Sequence, residues 1–198
     1  MKCYFALLSI LILFTSCKKE VPVNNPSSEY FPNTTGNYWK YKVVDSILNS
    51  SSIVEVKIVG DKILPGGQNA KIWIYVYPGH IDTNYVFRVG DTIRFIDQGL
   101  SVRNTYIVPL QLNNKWRINP AYLYDSVKVI EKGTIVLNVQ TFENSFLLQE
   151  NGYLPNDYWN RYEWFYPNIG MITKTEKDLF TLGTNKSFYW ELLEYDLK

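Results

Sequence analysis

From about residue 29 onward the chain is a succession of short β-branched and aromatic runs, each cut by turn residues, with no sustained helical period. That pattern confines it to an all-β fold, because only strands use runs this short with turns this frequent. The runs are Asn37–Asp45, Ile53–Gly60, Lys71–Tyr77, Asn84–Val89, Thr92–Asp97, Asn104–Val108, Ser126–Glu131, Thr134–Gln140, Ser145–Glu150, Arg161–Tyr166, Met171–Lys177 and Ser187–Asp196. Breaks fall at Pro65-Gly66-Gly67, Pro78-Gly79, Gly90-Asp91, Asp97-Gln98-Gly99, Lys132-Gly133 and Asn151-Gly152, all able to supply the positive φ of tight turns. Meandering antiparallel pairing follows. Only a segment near Pro120–Asp125 has helical character.

Side-chain alternation assigns the faces. Val54, Val56 and Ile58 share one side of their strand and Glu55 and Lys57 the other, so one side is wet. In Lys71–Tyr77, Ile72, Ile74 and Val76 oppose Trp73, Tyr75 and Tyr77, and both sides need cover. With at most one short helix available, the sheet must cover itself: a single strongly curled, barrel-like antiparallel sheet, or a two-layer sandwich. In Arg161–Tyr166, the residues Tyr162, Trp164 and Tyr166 form an aromatic face, read as core, opposite Arg161, Glu163 and Phe165.

Ahead of this domain, Lys2 precedes an apolar stretch from Tyr4 to Phe14, followed by Thr15, Ser16 and Cys17. The stretch ends at Lys18-Lys19-Glu20, short of the roughly 20 residues a membrane span needs, and fits a signal peptide. Thr15-Ser16-Cys17 resembles a bacterial lipobox, with Phe14 where an aliphatic residue is usual. The expected organisation is a signal peptide over 1–16, a lipidated tether over 17–28 containing Pro22 and Pro26, and one β domain over 29–198. The resemblance implies diacylglycerol plus an amide-linked chain on Cys17, an anchorage stable where one chain is marginal. The membrane is therefore an expected partner, through lipid. Lys18 stands where aspartate would mark inner-membrane retention, so the outer membrane is the expected address.

Composition excludes several classes of function. Loss of residues 1–16 removes Lys2 and brings the net formal charge from +1 to zero, with no basic stripe for nucleic acid. It also removes Cys3, leaving Cys17 as the one remaining cysteine, so neither disulfides nor cysteine metal sites are expected. The sole histidine, His80, lies in a probable turn without a Gly-x-Ser-x-Gly elbow to serve. Neither a zinc ligand set nor an Asp-x-Asp-x-Asp-Gly calcium loop is present, and Gly66-Gly67 lacks the lysine of a phosphate cradle. No cofactor or metal is expected. Two facing acids among Glu143, Glu150, Asp157 and Glu163 are the one route to an enzyme, a carbohydrate-active one.

Two segments share a spacing. Pro32 to Trp39 and Pro109 to Trp116 each span seven residues, with Asn37 and Asn114 in step, so a loop-then-strand unit is used twice or arises twice by chance. Tyr30-Phe31-Pro32 with Gly36-Asn37-Tyr38-Trp39-Lys40-Tyr41 resembles the opening of a family of bacteroidete-type envelope lipoproteins. The second Pro-to-Trp unit, Gly133-Thr-Ile-Val with Thr141-Phe142, the Trp164-Phe-Tyr-Pro-Asn-Ile-Gly170-Met-Ile turn and the closing Glu191-Leu-Leu-Glu-Tyr extend the likeness over most of the domain, with Asn113 departing where that family tends to have glycine. The resemblance implies a lipocalin-like or otherwise curled β architecture, an envelope location and an unassigned ligand.

Aromatic residues make up 16% of the chain. Core and cross-strand pairing account for most of them, leaving Tyr158 and Trp159, read as a loop before a strand, and Trp73, Tyr75 and Tyr77 as candidates for stacking on a ligand. The expected role is a non-catalytic binding or assembly module, with a glycan, a lipid or an envelope protein as partner; the alternatives are a carrier of an apolar or lipid ligand in an interior pocket and the carbohydrate-active enzyme. Protein extracted from its own membranes should carry acyl mass that a Cys17→Ala form lacks, measured by intact mass spectrometry; equal masses would remove the anchor.

Overall fold

The computed structural model describes residues 30–118, 125–154, 157–180 and 183–198. The leader, Cys17, the tether and all of the helical expectation except Asp125 lie outside these residues. Twelve strands follow one another: β1 (Tyr38–Asp45), β2 (Ser50–Ile63), β3 (Asn69–Tyr77), β4 (His80–Val89), β5 (Thr92–Asp97), β6 (Val102–Ile107), β7 (Lys115–Trp116), β8 (Asp125–Leu137), β9 (Gln140–Leu154), β10 (Asp157–Tyr166), β11 (Gly170–Phe180) and β12 (Lys186–Asp196). Among the described residues there is no helix. Every pairing is antiparallel, and the order β6-β5-β4-β3-β2-β1-β12-β11-β10-β9-β8-β7 makes one sheet of two six-strand meanders joined where β1 pairs with β12.

That sheet curls into a nearly closed barrel. Its two outer strands, β6 and β7, meet through side chains instead of a backbone ladder. The Trp116 indole donates to the Thr105 carbonyl at 2.6 Å, and the Thr105 hydroxyl donates to the Ile118 carbonyl at 2.7 Å. Closure of this kind hides the edge strands that would otherwise pair with another chain.

The two Pro-to-Trp units occupy equivalent places, opening the first and second meanders. Their backbone bonds repeat as well. Asn37 N–H donates to Thr34 O and Asn114 N–H to Gln111 O; Gly36 N–H donates to Ile58 O and Asn113 N–H to Val129 O; Ile58 N–H returns to Asn37 O and Val129 N–H to Asn114 O. Gly36 and Asn113 both hold positive φ, 96° and 71°, so asparagine, the residue most tolerant of this region after glycine, stands at the departing position. Trp39 pairs with Val56 as Trp116 pairs with Val127. The shared spacing is thus one three-dimensional unit used twice.

The chain start forms a plug. Tyr30 and Phe31 are buried, Tyr30 edge-on to Phe146, and Phe31 against Phe95, Tyr106 and Phe165 at 4.4–5.9 Å between ring centroids. Asn37, 1% exposed, fixes the plug by donating from Nδ2 to Pro32 O, while its Oδ1 accepts from the Lys198 amide. A second, smaller cluster on the outer side of the first meander joins Leu64, Ala70, Tyr85, Phe87 and Ile96, with Ile72 packed on it. That cluster covers Ile72 on the outer face of β3.

Three sequence expectations are corrected here. Lys132-Gly133 is no turn: it lies inside β8, so Ser126–Glu131 and Thr134–Gln140 belong largely to one strand, and the register slips beside Gly133. Asn151-Gly152 likewise lies inside β9. The actual β8–β9 turn is Asn138-Val139, both at positive φ. Flanking ladders overrode the local turn preference at the two glycines.

Gly36→Ala should cost about 1–2 kcal/mol, because a Cβ is strained at that φ, whereas Asn113→Gly should stay within about 0.5 kcal/mol; chemical denaturation of the two variants checks both.

Candidate functional site

The barrel interior holds a cavity of about 760 Å³. Tyr30, Phe31 and Pro32 line it at the plugged end, and Asp82 of the β3–β4 hairpin with Asp97, Gln98 and Gly99 of the β5–β6 hairpin line it at the other. Strand direction orders the wall between them. Moving away from the plug, Trp73, Tyr75 and Tyr77 rise along β3, Phe165, Glu163 and Arg161 along β10, and Lys174 and Glu176 along β11. Aromatic rings therefore fill the floor, and charge begins one layer above it.

Trp73 belongs to that floor. It is buried, stacks on Trp39 at 5.1 Å and donates from its indole to Asn33 Oδ1 at 2.7 Å. Tyr75 and Tyr77 lie higher on the cavity wall. Burial raises the Tyr75 hydroxyl and pushes Tyr77 to about 12, so both stay protonated as hydrogen-bond donors. The Tyr77 ring stacks on exposed His80 at 4.5 Å and 2° between planes. Three of the five candidate aromatics thus share one wall.

Tyr158 and Trp159 do not join them as a pair. They lie inside β10, not in a loop before it, and consecutive residues of a strand point to opposite faces. Trp159 shares the face of Arg161 and Glu163, and its indole occupies the space a Cβ on Gly152 would take. Tyr158 is outward and 38% exposed.

The larger correction concerns which face of β10 is inside. Tyr162, Trp164 and Tyr166 are half-buried on the outer side, while Phe165 and Glu163, 2% and 5% exposed, point inward with Arg161. Charges survive there because adjacent strands neutralise one another. Glu163 lies opposite Lys174 and Arg161 opposite Glu176 in the β10–β11 register. Arg161 contacts Glu150 at 2.9 Å and both Glu176 and Asp178 at 3.4 Å, while Lys174 contacts Glu176 at 2.8 Å and Glu163 at 3.7 Å. Tyr106 donates to Glu163 Oε2 at 2.9 Å. The signal was present in the sequence as same-face opposite charges, Arg161 and Glu163 on one strand and Lys174 and Glu176 on the next.

Electrostatics split the acids. Burial lifts Glu150 to about 7, with Arg161 opposing. Burial also acts to raise Glu176, but Lys174 and Arg161 overcome it and hold that carboxyl at about 2. Desolvation would lower Lys174, yet Glu176 and Glu163 leave it above its ordinary value. Of the four acids considered for catalysis, Glu143 is exposed, Asp157 opens β10, and Glu163 lines the cavity. Glu150, the acid poised near neutrality, is bound to Arg161 away from the cavity lining. Among the described residues no three His, Cys, Asp or Glu side chains are placed to hold a metal ion.

Several buried polar atoms at this cluster have no hydrogen-bond partner: Trp190 Nε1, Arg161 Nε and Asn104 Oδ1 on the cavity wall, and Asp178 Oδ1 beside Arg161. Such groups are costly in a low-dielectric interior, and they mark where the wall is not chemically complete.

Because its folded pKa is raised, Glu150 favours the fold below the ordinary carboxylate range, and that contribution is lost as pH rises through 7. Glu176 does the reverse, losing its contribution as pH falls toward 2. Stability should therefore peak near pH 5 and decline toward pH 7.5, and Glu150→Gln, which mimics the protonated acid, should recover on the order of 2 kcal/mol at pH 7.5 with little change at pH 5. Urea midpoints at the two pH values measure it.

No protein-family model and no curated protein matches the sequence. Four chains of solved structures resemble it, two of them as follows. One is the 2.70 Å crystal structure of a candidate lipoprotein from Parabacteroides distasonis ATCC 8503, 16% identical, with a TM-score of 0.51, covering 87% of this chain and 100% of that one. The other is a candidate exported protein with a YmcC-like fold from Bacteroides fragilis NCTC 9343, 12% identical, with a TM-score of 0.43, covering 84% and 98%. At 16% identity the first likeness is one of fold, and at a TM-score of 0.43 the second carries no argument.

Proposed function

We propose that this chain is a lipid-anchored envelope protein that binds a small molecule inside its barrel without transforming it. The observation that carries this reading is the cavity of about 760 Å³, within the roughly 300–1,000 Å³ typical of ligand sites, walled by rings and by an ion-pair network. Replacing a buried ion-pair network with apolar side chains is often neutral or stabilising. A barrel selected for stability alone would fill this space with apolar groups. Here Arg161, Lys174, Glu163 and Glu176 surround a void.

The envelope part of the reading rests on the lipobox at Cys17, supported by the description of the first structural neighbour as a candidate lipoprotein. The chain enters the barrel at the plugged end, through Tyr30 and Phe31. The outer membrane is the favoured address, and a ligand would arrive from the aqueous side.

Native mass spectrometry of the protein released from its own membranes tests the reading. A discrete small-molecule adduct should accompany the chain, persist in the Cys17→Ala form, and fall at least about tenfold in occupancy in Tyr77→Ala. Acyl mass with no adduct, or an adduct indifferent to Tyr77→Ala, would overturn it.

A further inference from the structure

Resting on that reading of the cavity, we infer that its ligand is a neutral polyhydroxylated ring, a saccharide of one or two residues. Three features of the wall lead there. The first is its unmet hydrogen bonding. Trp190, 8% exposed and on the wall, has an indole N–H without an acceptor, and the Arg161 Nε–H, two strands away, is equally unmet. These donors need acceptors. On the same wall the Glu163 and Glu176 carboxylates and Asn104 Oδ1 are acceptors, the last without any donor. A ligand that completes such a wall must both donate and accept, and a hydroxyl group does both.

The second feature is charge. Arg161 is engaged by Glu150, Glu176 and Asp178, and Lys174 by Glu163 and Glu176, so neither cation is free. An anionic ligand would meet the Glu163 and Glu176 carboxylates beside two engaged cations. An ammonium ligand would have to displace Arg161 or Lys174 from bonds already made. A neutral ligand leaves the network whole and bonds to its outer lone pairs and protons.

The third feature is the disposition of apolar surface. Phe31, Phe95, Tyr106 and Phe165 pack against one another as a floor of rings. Above the floor, the rings of Tyr75, Tyr77 and Trp190 line the wall within reach of the charged side chains. Flat apolar faces beside hydrogen-bonding groups suit a pyranose, whose C–H face is apolar and whose rim carries hydroxyls.

The test uses the membrane-extracted protein with defined probes: glucose, galactose, mannose, N-acetylglucosamine, maltose and lactose as neutral saccharides, glucuronate and glucosamine as charged counterparts, and palmitate as an acyl ligand. Saturation-transfer NMR and calorimetry should show binding of at least one neutral saccharide in preference to its charged counterparts and to palmitate. Trp190→Phe, which removes the unmet N–H and keeps the ring, should weaken that saccharide about tenfold at an unchanged melting temperature. If Trp190→Phe fails to fold, Tyr77→Ala at the rim should weaken the same saccharide by at least that factor. Preference for palmitate or a charged probe, or an extracted adduct of non-saccharide mass, would overturn the ligand class and leave the cavity reading standing. No adduct and no bound probe would overturn both.

Discussion

The barrel depends on Trp39. Its indole donates to the Ile169 carbonyl at 2.7 Å, across 130 residues of chain, and its ring stacks on Trp73. One side chain of β1 thereby ties the first meander to the β10–β11 turn of the second. That turn is shaped to receive it: Asn168 and Gly170 take positive φ, which folds Ile169 inward at 1% exposure. With no helix among the described residues to hold the halves of the barrel in register, a buried hydrogen bond at this depth serves as positional information as well as stability. Trp116 plays the matching part at the β6–β7 seam, where ladder bonds are not available to close the sheet.

Around that joint, the interior divides by height. Next to the plug, rings pack edge to face. One layer up, Tyr75, Glu163 and Lys174 replace them, and above those come Tyr77, Arg161 and Glu176. Rigidity and reception are thus assigned to different depths of one cavity. The floor anchors the tertiary structure; the upper wall keeps polar groups that folding alone does not need. Cross-strand register makes this feasible, since each cation lies opposite an acid on the neighbouring strand and none has to be solvated.

Local sequence determined a good deal of this. Runs and turn residues foretold an all-β chain with strands near their observed places, and the Val54, Val56, Ile58 face is buried as the alternation requires. The Pro-to-Trp spacing pointed to a unit that recurs in space with the same hydrogen bonds. Trp73, Tyr75 and Tyr77 were legible as one set because a two-residue period places them on one face by strand geometry alone.

What only the tertiary structure decided is which face of each strand is inside. Alternation is local and symmetrical: it groups Arg161 with Glu163 and Phe165, and Tyr162 with Trp164 and Tyr166, without choosing between the groups. Hydrophobicity favoured the aromatic set, but the charged set is internal because Lys174 and Glu176 on β11 neutralise it, and such pairing is invisible until strands are placed side by side. The same reasoning covers Gly133 and Gly152, whose turn preference yields to the ladders of long strands and, at Gly152, to the Trp159 indole that needs the missing side chain's space. Residue types set the period and the punctuation of the fold. The direction in which each strand faces came from the closure of the whole sheet, because inside and outside are defined only once β1 meets β12 and β6 meets β7.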